Sequence, residues 1–222
     1  VPFEWRGQGS PPVDLRDVIA ADLYRSGRFD ILPVDDYLSR PSDDRQIRYK
    51  DFRLIKAEAL VVGRVKALGA DRFDIQFQLF DVFGEKQLAG YRWEVGRSKL
   101  RRVAHQVSDL VFKALTGKPG AFDSRIAYVE VERIASTGPI YRLMVAESDG
   151  FNPQEILASS DPMLSPAWSP DGRYLAYVSY EHQGSQDEGP KVVIQEIKKG
   201  GIRFKVSERP GLNSAPAWSP DG

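Results

Sequence analysis

The 222-residue sequence contains no cysteine, and this excludes disulfide bonds and thiol chemistry. A chain without cysteine is compatible with the cytosol and the periplasm equally. Lys+Arg and Asp+Glu both number 31, and this balance gives no reason to expect binding to nucleic acid or to an acidic membrane surface. No apolar run approaches the roughly 18 residues of a membrane-spanning helix. No signal peptide is recognisable, and the opening Val1-Pro2-Phe3 lacks an initiator methionine, so we expect upstream sequence to have been removed.

Signatures of catalysis are also scarce. The chain has no Gly-x-Ser-x-Gly elbow, no paired-histidine metal spacing and no phosphate loop, and the glycines of residues 7–11 indicate only a loop. Of the two histidines, His105 is predicted on the helix face opposite the apolar stripe and His182 in a polar loop, both solvated. We therefore predict no catalytic, cofactor-binding or metal-binding residue and no cofactor.

What the sequence does contain is a seven-residue motif that occurs twice, with a spacing of 50 residues, which is typical of repeat architectures. Its Ser-Pro-Asp-Gly part predicts a tight turn, since proline presets φ and glycine takes the left-handed position. This turn explains the two aspartates better than a catalytic role does. The motif residues are Pro166, Trp168, Pro170, Asp171 and Gly172 in the first copy and Pro216, Trp218, Pro220, Asp221 and Gly222 in the second.

Four antiparallel strands are predicted around the first copy. They are 165–168, 173–180, 191–197 and 202–206, with Lys198-Lys199-Gly200-Gly201 turning the third strand back. The second strand is apolar on both faces, as in a strand between two sheets, and the last alternates like a half-exposed strand. Radial repetition of such sheets predicts a β-propeller in which each repeated Trp packs between blades. The alternative is two ordinary hairpin pairs in a β-sandwich.

An earlier repeat is incomplete. Strands are predicted at 125–131, 141–147 and 154–158, but no motif precedes Arg125, so its innermost strand is expected to come from the far C-terminus. A further inner strand is predicted at 214–218. Residues 121–222 are therefore predicted to form the first part of an incomplete propeller, whose repeats continue beyond Gly222.

Residues 1–120 predict a different domain, an α/β layer with two helices on a mixed sheet. The first helix, 13–26, has an apolar face of Leu15, Val18, Ile19 and Leu23. The second is predicted to begin with Ser98 as N-cap and to end at Gly117, with a buried stripe of Leu100, Val103, Val107, Leu110, Val111 and Ala114. Strands are predicted at 29–32, 59–65, 72–80 and 86–95, with a loop at 39–50 and a domain boundary at Lys118-Pro119-Gly120.

A basic run lies at the start of the second helix, where it opposes the helix dipole. It consists of Arg97, Lys99, Arg101 and Arg102. A solvated face is favoured over a face that contacts a partner.

Three features together resemble the TolB family, the periplasmic propeller proteins of the Tol–Pal system. They are the α/β domain, the junction of residues 115–122 followed by Arg125-Ile126-Ala127-Tyr128-Val129, and the segment of residues 164–172. The resemblance also covers Val61-Val62-Gly63 and residues 104–109. It implies a six-bladed propeller and a non-enzymatic adaptor in the periplasm.

The resemblance further implies the partners. Family members bind the peptidoglycan-associated lipoprotein Pal through the propeller and engage TolA through an N-terminal segment that precedes the equivalent of Val1. Other proteins associated with the outer membrane are further expected partners. The system maintains outer-membrane integrity, supports constriction at cell division and is exploited for bacteriocin import. No residue of this sequence is assigned to partner binding.

Two alternatives of another class stay open. Trp-Ser-Pro-Asp-Gly also occurs in propellers attached to serine peptidases, so the repeats are also compatible with the propeller domain of a hydrolase related to prolyl oligopeptidases. That reading requires a Gly-x-Ser-x-Gly domain downstream. The other alternative is a free-standing propeller that binds carbohydrate or metal.

Overall fold

The computed structural model describes residues 1–136, 138–181, 189–198, 201–207, 209 and 211–222. The chain consists of two compact units, Val1–Asp123 and Ser124–Gly222. The predicted fold class is confirmed: helices with a mixed sheet come first, and antiparallel sheets of an incomplete propeller follow. The domain boundary after residue 120 stays a prediction. His182 and the predicted turn residues Lys199 and Gly200 lie outside the described residues.

The sheet of the first unit has four strands in the order β1-β2-β3-β4. They are β1 (Glu4–Arg6), β2 (Ala59–Ala67), β3 (Arg72–Asp81) and β4 (Lys86–Gly96). β1 runs parallel to β2, whereas β2, β3 and β4 pair antiparallel, which makes the sheet mixed.

One predicted strand of this unit is wrong. Residues 29–32 form no strand, and β1, which was not predicted, occupies the edge beside β2. Phe29 and Ile31 instead pack their side chains against the core. Apolar side chains can be buried without backbone pairing, so their pattern alone did not distinguish an extended segment from a strand.

Three helices complete the unit: α1 (Leu15–Arg25), α2 (Tyr49–Leu54) and α3 (Leu100–Thr116). All four apolar residues predicted for α1 are buried, and they join one core with β3 and α3. α2 was missed, because a single buried residue, Phe52, leaves no periodic apolar pattern.

The ends of α3 differ in part from the prediction. Ser98 is not the N-cap: a 3₁₀ turn, Arg97–Lys99, comes first, and Lys99 is the cap residue without a side-chain cap bond. At the other end Gly117, with φ of 76°, terminates the helix as predicted, and its N–H donates to Lys113 O. The prediction that Ala114 is buried is wrong, because Phe112 and Leu115 make the core contacts of the last turn.

The second unit contains two antiparallel sheets. One has the order β5-β6-β7 and the other the order β11-β10-β9-β8. Their strands are β5 (Arg125–Ile134), β6 (Gly138–Glu147), β7 (Gln154–Ser159), β8 (Met163–Trp168), β9 (Tyr174–Ser179), β10 (Lys191–Glu196) and β11 (Arg203–Ser207). Each sheet therefore holds one repeat in sequence order.

The core of the second unit combines residues of both sheets, among them Leu143, Leu175 and Tyr177. β9 is buried on both faces, as expected for a strand inside a stack of sheets. The strand predicted at 214–218 is not formed, since this segment pairs with no strand in the part of the chain that the structure describes. Within the described residues, every helix is too short or too polar to cross a membrane.

Candidate functional site

The first copy of the repeat motif forms the predicted turn between β8 and β9. Gly172 N donates to Ser169 O at 2.9 Å, and Gly172 has φ of +67°. Pro170 takes the second position of this turn, where its fixed φ is favourable. Pro166 lies at a bulge in β8, directly after Ser165, whose φ is +53°. The bulge removes a ladder bond at the position where proline has no N–H to donate.

Asp171 stabilises the turn through its carboxylate. Its Oδ1 accepts from Ser169 Oγ at 2.6 Å and from Arg173 N at 3.0 Å. These hydrogen bonds, that of Ser169 foremost, hold the pKa of Asp171 below its ordinary value of 3.8. A carboxylate engaged in this way keeps its negative charge and has a structural role in the turn.

The second copy has the same backbone geometry. Gly222 N donates to Ser219 O at 3.1 Å, across Pro220 and Asp221. Ala215, directly before Pro216, has φ of +50° and so matches Ser165 fifty positions earlier. The hydrogen bond from Ser219 also lowers the pKa of Asp221. The motif therefore repeats in conformation as well as in sequence.

Trp168 lies where the two sheets of the second unit meet. Its ring packs against the shared core, and the guanidinium carbon of Arg125, on β5, lies 4.6 Å from the ring centroid. Arg125 also donates from Nη2 to Gly172 O at 2.8 Å. We call this group of Arg125, Trp168 and Gly172 the inter-sheet seam, because it joins the first repeat to the motif turn of the second.

The two motif tryptophans differ in their hydrogen bonds. Trp218 Nε1 donates to Ala167 O, in β8, at 3.1 Å. The Nε1 atom of Trp168 is buried and has no hydrogen-bond partner within the described part of the chain.

β11 and the residue before it present an apolar stripe to solvent, formed by Ile202, Phe204 and Val206, which are 64%, 47% and 57% exposed. We call it the β11 stripe. The opposite face carries Arg203, which donates to Tyr177 Oη at 2.8 Å and pairs with Glu181 at 2.7 Å. The strand alternates as predicted, but its side chains are exposed on both faces, from Arg203 to Val206. Exposed apolar surface of this kind marks a position where another element or chain packs.

His105 corrects the prediction of a solvated surface residue. Its side chain is only 2% exposed, and Nδ1 lies 2.7 Å from Asp22 Oδ2 in α1. Ser108 Oγ donates to the same carboxylate oxygen at 2.8 Å, and Arg25 pairs with the other oxygen. The carboxylate of Asp22 thus ties α1 to α3.

This cluster contains serine, histidine and aspartate but lacks the arrangement of a catalytic triad. A triad needs a hydrogen bond from the serine hydroxyl to the histidine, whereas the single proton of Ser108 Oγ is shared between Asp22 Oδ2 at 2.8 Å and Ala104 O at 3.1 Å. Asp22 and Ser108 are fully buried, so no substrate can reach the hydroxyl. The sequence signal that was missed is Asp22 itself, which interrupts the apolar stripe of α1 and so requires a buried partner.

The basic run does not form a single patch of free charge. Arg102 pairs with Asp123 at 3.1 Å, and Arg97 donates to Ala70 O at 3.4 Å. These contacts give at least two of its side chains a structural role, and the solvated face, favoured over contact with a partner, stays a prediction.

Comparison with known proteins agrees with this architecture. Residues 112–222 match the family model of the TolB beta propeller domain, and residues 1–88 match that of the TolB amino-terminal domain. The Tol-Pal system protein TolB of Nitrosococcus oceani is 49% identical over 97% of this chain and 48% of its own length. That of Alcanivorax borkumensis is 40% identical over all of this chain and 49% of its own length. The chain thus spans about half the length of the curated relatives it matches.

A solved structure supports the same assignment. The crystal structure of TolB from Acinetobacter baumannii superposes with a TM-score of 0.81 at 35% identity, over 99% of this chain and 52% of that one. Both the helix-and-sheet unit and the two repeat sheets fall within the superposed range. The chain belongs to the TolB family.

Proposed function

We propose that this chain is part of a non-enzymatic adaptor of the Tol–Pal system in the periplasm. The observation that carries the proposal is the union of the TolB amino-terminal unit with motif-bearing propeller sheets in a single chain. Its relatives are named Tol-Pal system protein TolB, and they share this order of domains over almost the whole chain.

The partner of the propeller is the peptidoglycan-associated lipoprotein Pal. The N-terminal side of the protein links to TolA, through the segment that precedes the equivalent of Val1 in the family. By joining the two, the adaptor maintains the outer membrane and contributes to its constriction at division, and bacteriocins exploit the same contacts for import.

The polar groups of the described residues support binding over catalysis. Asp171 has its carboxylate in a turn, and Asp22, His105 and Ser108 form a buried structural cluster. The exposed features of the described residues include a strand edge at β5 and the β11 stripe. Strand edges and apolar stripes are means of packing against other polypeptide segments.

Capture from a periplasmic extract tests the proposal. Immobilised full-length protein should retain Pal specifically and should hydrolyse neither peptide nor ester reporters. A fragment of residues 1–123, shown by NMR to be folded, serves as the matched control and should retain no Pal. Retention of Pal by this fragment would show that the binding site lies outside the propeller. Reporter hydrolysis that a serine-protease inhibitor abolishes would favour the peptidase-related alternative.

A further inference from the structure

The open edge of the sheet in the first unit is formed by β4. Within the described residues β4 pairs only with β3, and its other edge carries no strand. Tyr91 on this strand is 60% exposed, and the side chains of Arg92 and Glu94 are 66% and 48% exposed. The ladder is regular over residues 89–96, after a bulge at Leu88. A regular edge with unpaired backbone groups is a template on which another strand can pair.

The register shows which backbone groups lie on this edge. Arg97 N donates to Asp71 O at 3.1 Å, directly beyond the pair of Arg72 and Gly96. Successive residues of an antiparallel strand point their N–H and C=O groups to alternate sides, so the odd-numbered residues of the regular part of β4 bind β3. The backbone groups that point to the open edge therefore belong to the even-numbered residues Gly90, Arg92, Glu94 and Gly96.

The sequence of this edge complements itself in the antiparallel direction. In Gly90-Tyr91-Arg92-Trp93-Glu94-Val95-Gly96, charges of opposite sign stand one position to either side of Trp93. Apolar or aromatic residues stand two positions away, and glycines stand three positions away. Two such strands that pair antiparallel, with Trp93 opposite Trp93, therefore place Arg92 opposite Glu94 twice.

The two faces of the strand separate these contacts. Trp93 stacks on Phe77 at a centroid distance of 5.7 Å, so the odd-numbered side chains of β4 lie on the face that packs against the helices. Arg92 and Glu94 lie on the opposite face, where Arg92 binds Asp74 at 2.6 Å. A twofold axis perpendicular to the sheet keeps each face of one copy beside the same face of the other. The apolar contacts thus form on one face and the ion pairs on the other.

We propose that β4 is a self-association edge, at which two copies of the protein pair antiparallel about a twofold axis at Trp93 and join their sheets into one. The same surface is used by both copies, so the assembly closes at a dimer. A guanidinium carries five N–H donors, so Arg92 keeps its bond to Asp74 and binds Glu94 of the second copy with the donors that remain.

Other registers lose this complementarity. A twofold axis at Tyr91 places Arg92 opposite Gly90, and it places Glu94 opposite the bulge at Leu88. A twofold axis at Arg92 places two guanidinium groups opposite each other, and like charges directly opposite on neighbouring strands are destabilising. Pairing over residues 90–96 alone forms a small interface, so the dimer should dissociate on dilution.

Sedimentation of the full-length protein over a concentration series tests the proposal. Wild type should pass from monomer to dimer between about 1 µM and 1 mM. Arg92→Glu and Glu94→Arg should each weaken dimerisation about fourfold or more, because each places like charges opposite each other at two positions. An equimolar mixture of the two variants should dimerise again, since every contact then joins opposite charges. Lys66→Glu, on the same face but in β2, is the control and should leave dimerisation unchanged.

Cross-linking covers the case in which a charge variant does not fold. The 222 residues contain no cysteine, and any cysteine elsewhere in the full-length protein is replaced by serine. Residue 93 faces itself in the proposed register with about 4.5 Å between Cα atoms, so Trp93→Cys should form a disulfide under mild oxidation. Tyr91→Cys faces Val95 of the second copy and should not. A wild type that is monomeric at every concentration, a mixture that does not associate, or equal cross-linking of the two thiols would overturn the proposal.

Discussion

Arg125 lies across the face of Trp168, with its guanidinium carbon 4.6 Å from the ring centroid. The two residues belong to different sheets, β5 and β8, and to different repeats. A cation over an indole face is attracted by the ring quadrupole, and the large apolar ring excludes water between the sheets. The contact gives a physical reason for the tryptophan of the motif, since the ring of Trp168 fills the space between neighbouring sheets.

Truncation of this ring should therefore be costly. We expect Trp168→Ala to lower the free energy of unfolding of the full-length propeller by about 3–5 kcal/mol, as for other large aromatic residues in cores. Leu212→Ala is the control, because Leu212 is 77% exposed, and should cost less than about 0.5 kcal/mol. Denaturant titration measures both, and a loss at Trp168 as small as at Leu212 would refute its packing role.

The buried cluster around Asp22 gives a second prediction. Asp22→Ala leaves His105 and Ser108 without their carboxylate partner, and should destabilise the first unit by about 1–3 kcal/mol or more. Asp17→Ala on the same helix is a matched control, since its carboxylate is 68% exposed and should contribute little. Equal denaturation midpoints for the two variants would contradict the structural role of Asp22.

Acid should weaken the motif turn. The folded-state pKa of Asp171 lies below its ordinary value of 3.8, so its carboxylate contributes stability above that value and loses it as the pH falls through the folded pKa. Asp171→Asn keeps an oxygen acceptor but cannot titrate. The stability difference between wild type and Asp171→Asn should therefore shrink as the pH falls below the ordinary value of 3.8 in denaturant titrations. A difference that grows towards low pH would contradict the assignment.

The first unit should fold alone, and its end should lie beyond the predicted boundary. Asp109 accepts hydrogen bonds from the N–H groups of Phe122 and Asp123, at 2.8 and 3.1 Å, and Phe122 packs edge-on against Phe112. A Cβ on Gly120 would lie 2.9 Å from Asp109 Cα, so this segment is closely seated on α3.

A comparison of two fragments tests this boundary. Residues 1–123 should give a dispersed NMR spectrum, and residues 1–117 should be less stable because the partial burial of Phe122 is lost, by less than the roughly 3 kcal/mol that complete burial of a Phe side chain contributes. Identical stability of the two would place the boundary before residue 118, and an undispersed spectrum of 1–123 would show that the unit depends on the rest of the protein.

The predictions from sequence were most accurate where a pattern was local. The turn chemistry around Asp171 and Gly172 and the two apolar faces of β9 each follow from a few neighbouring residues, and both are present in the structure. The apolar face of α1 follows equally from helical spacing.

The failures came from contacts between distant segments. His105 was expected in solvent because its partner, Asp22, lies 83 positions away. β1 was missed because three residues carry no periodic signal, and its pairing with β2 exists only in the folded sheet. For the same reason the sequence did not show that the two motif tryptophans differ in hydrogen bonding. Trp218 Nε1 donates to Ala167 O, whereas Trp168 Nε1 has no acceptor among the described residues.

We propose that the TolB-family propeller binds Pal, and calorimetric titration of soluble Pal into the full-length protein tests this proposal most directly. We expect a saturable one-site isotherm for the full-length protein and no heat of binding for the folded fragment 1–123. We also expect Trp168→Ala to weaken binding in proportion to the fraction of propeller that it unfolds. An isotherm from the fragment alone, or none from the intact protein, would contradict binding of Pal by the propeller.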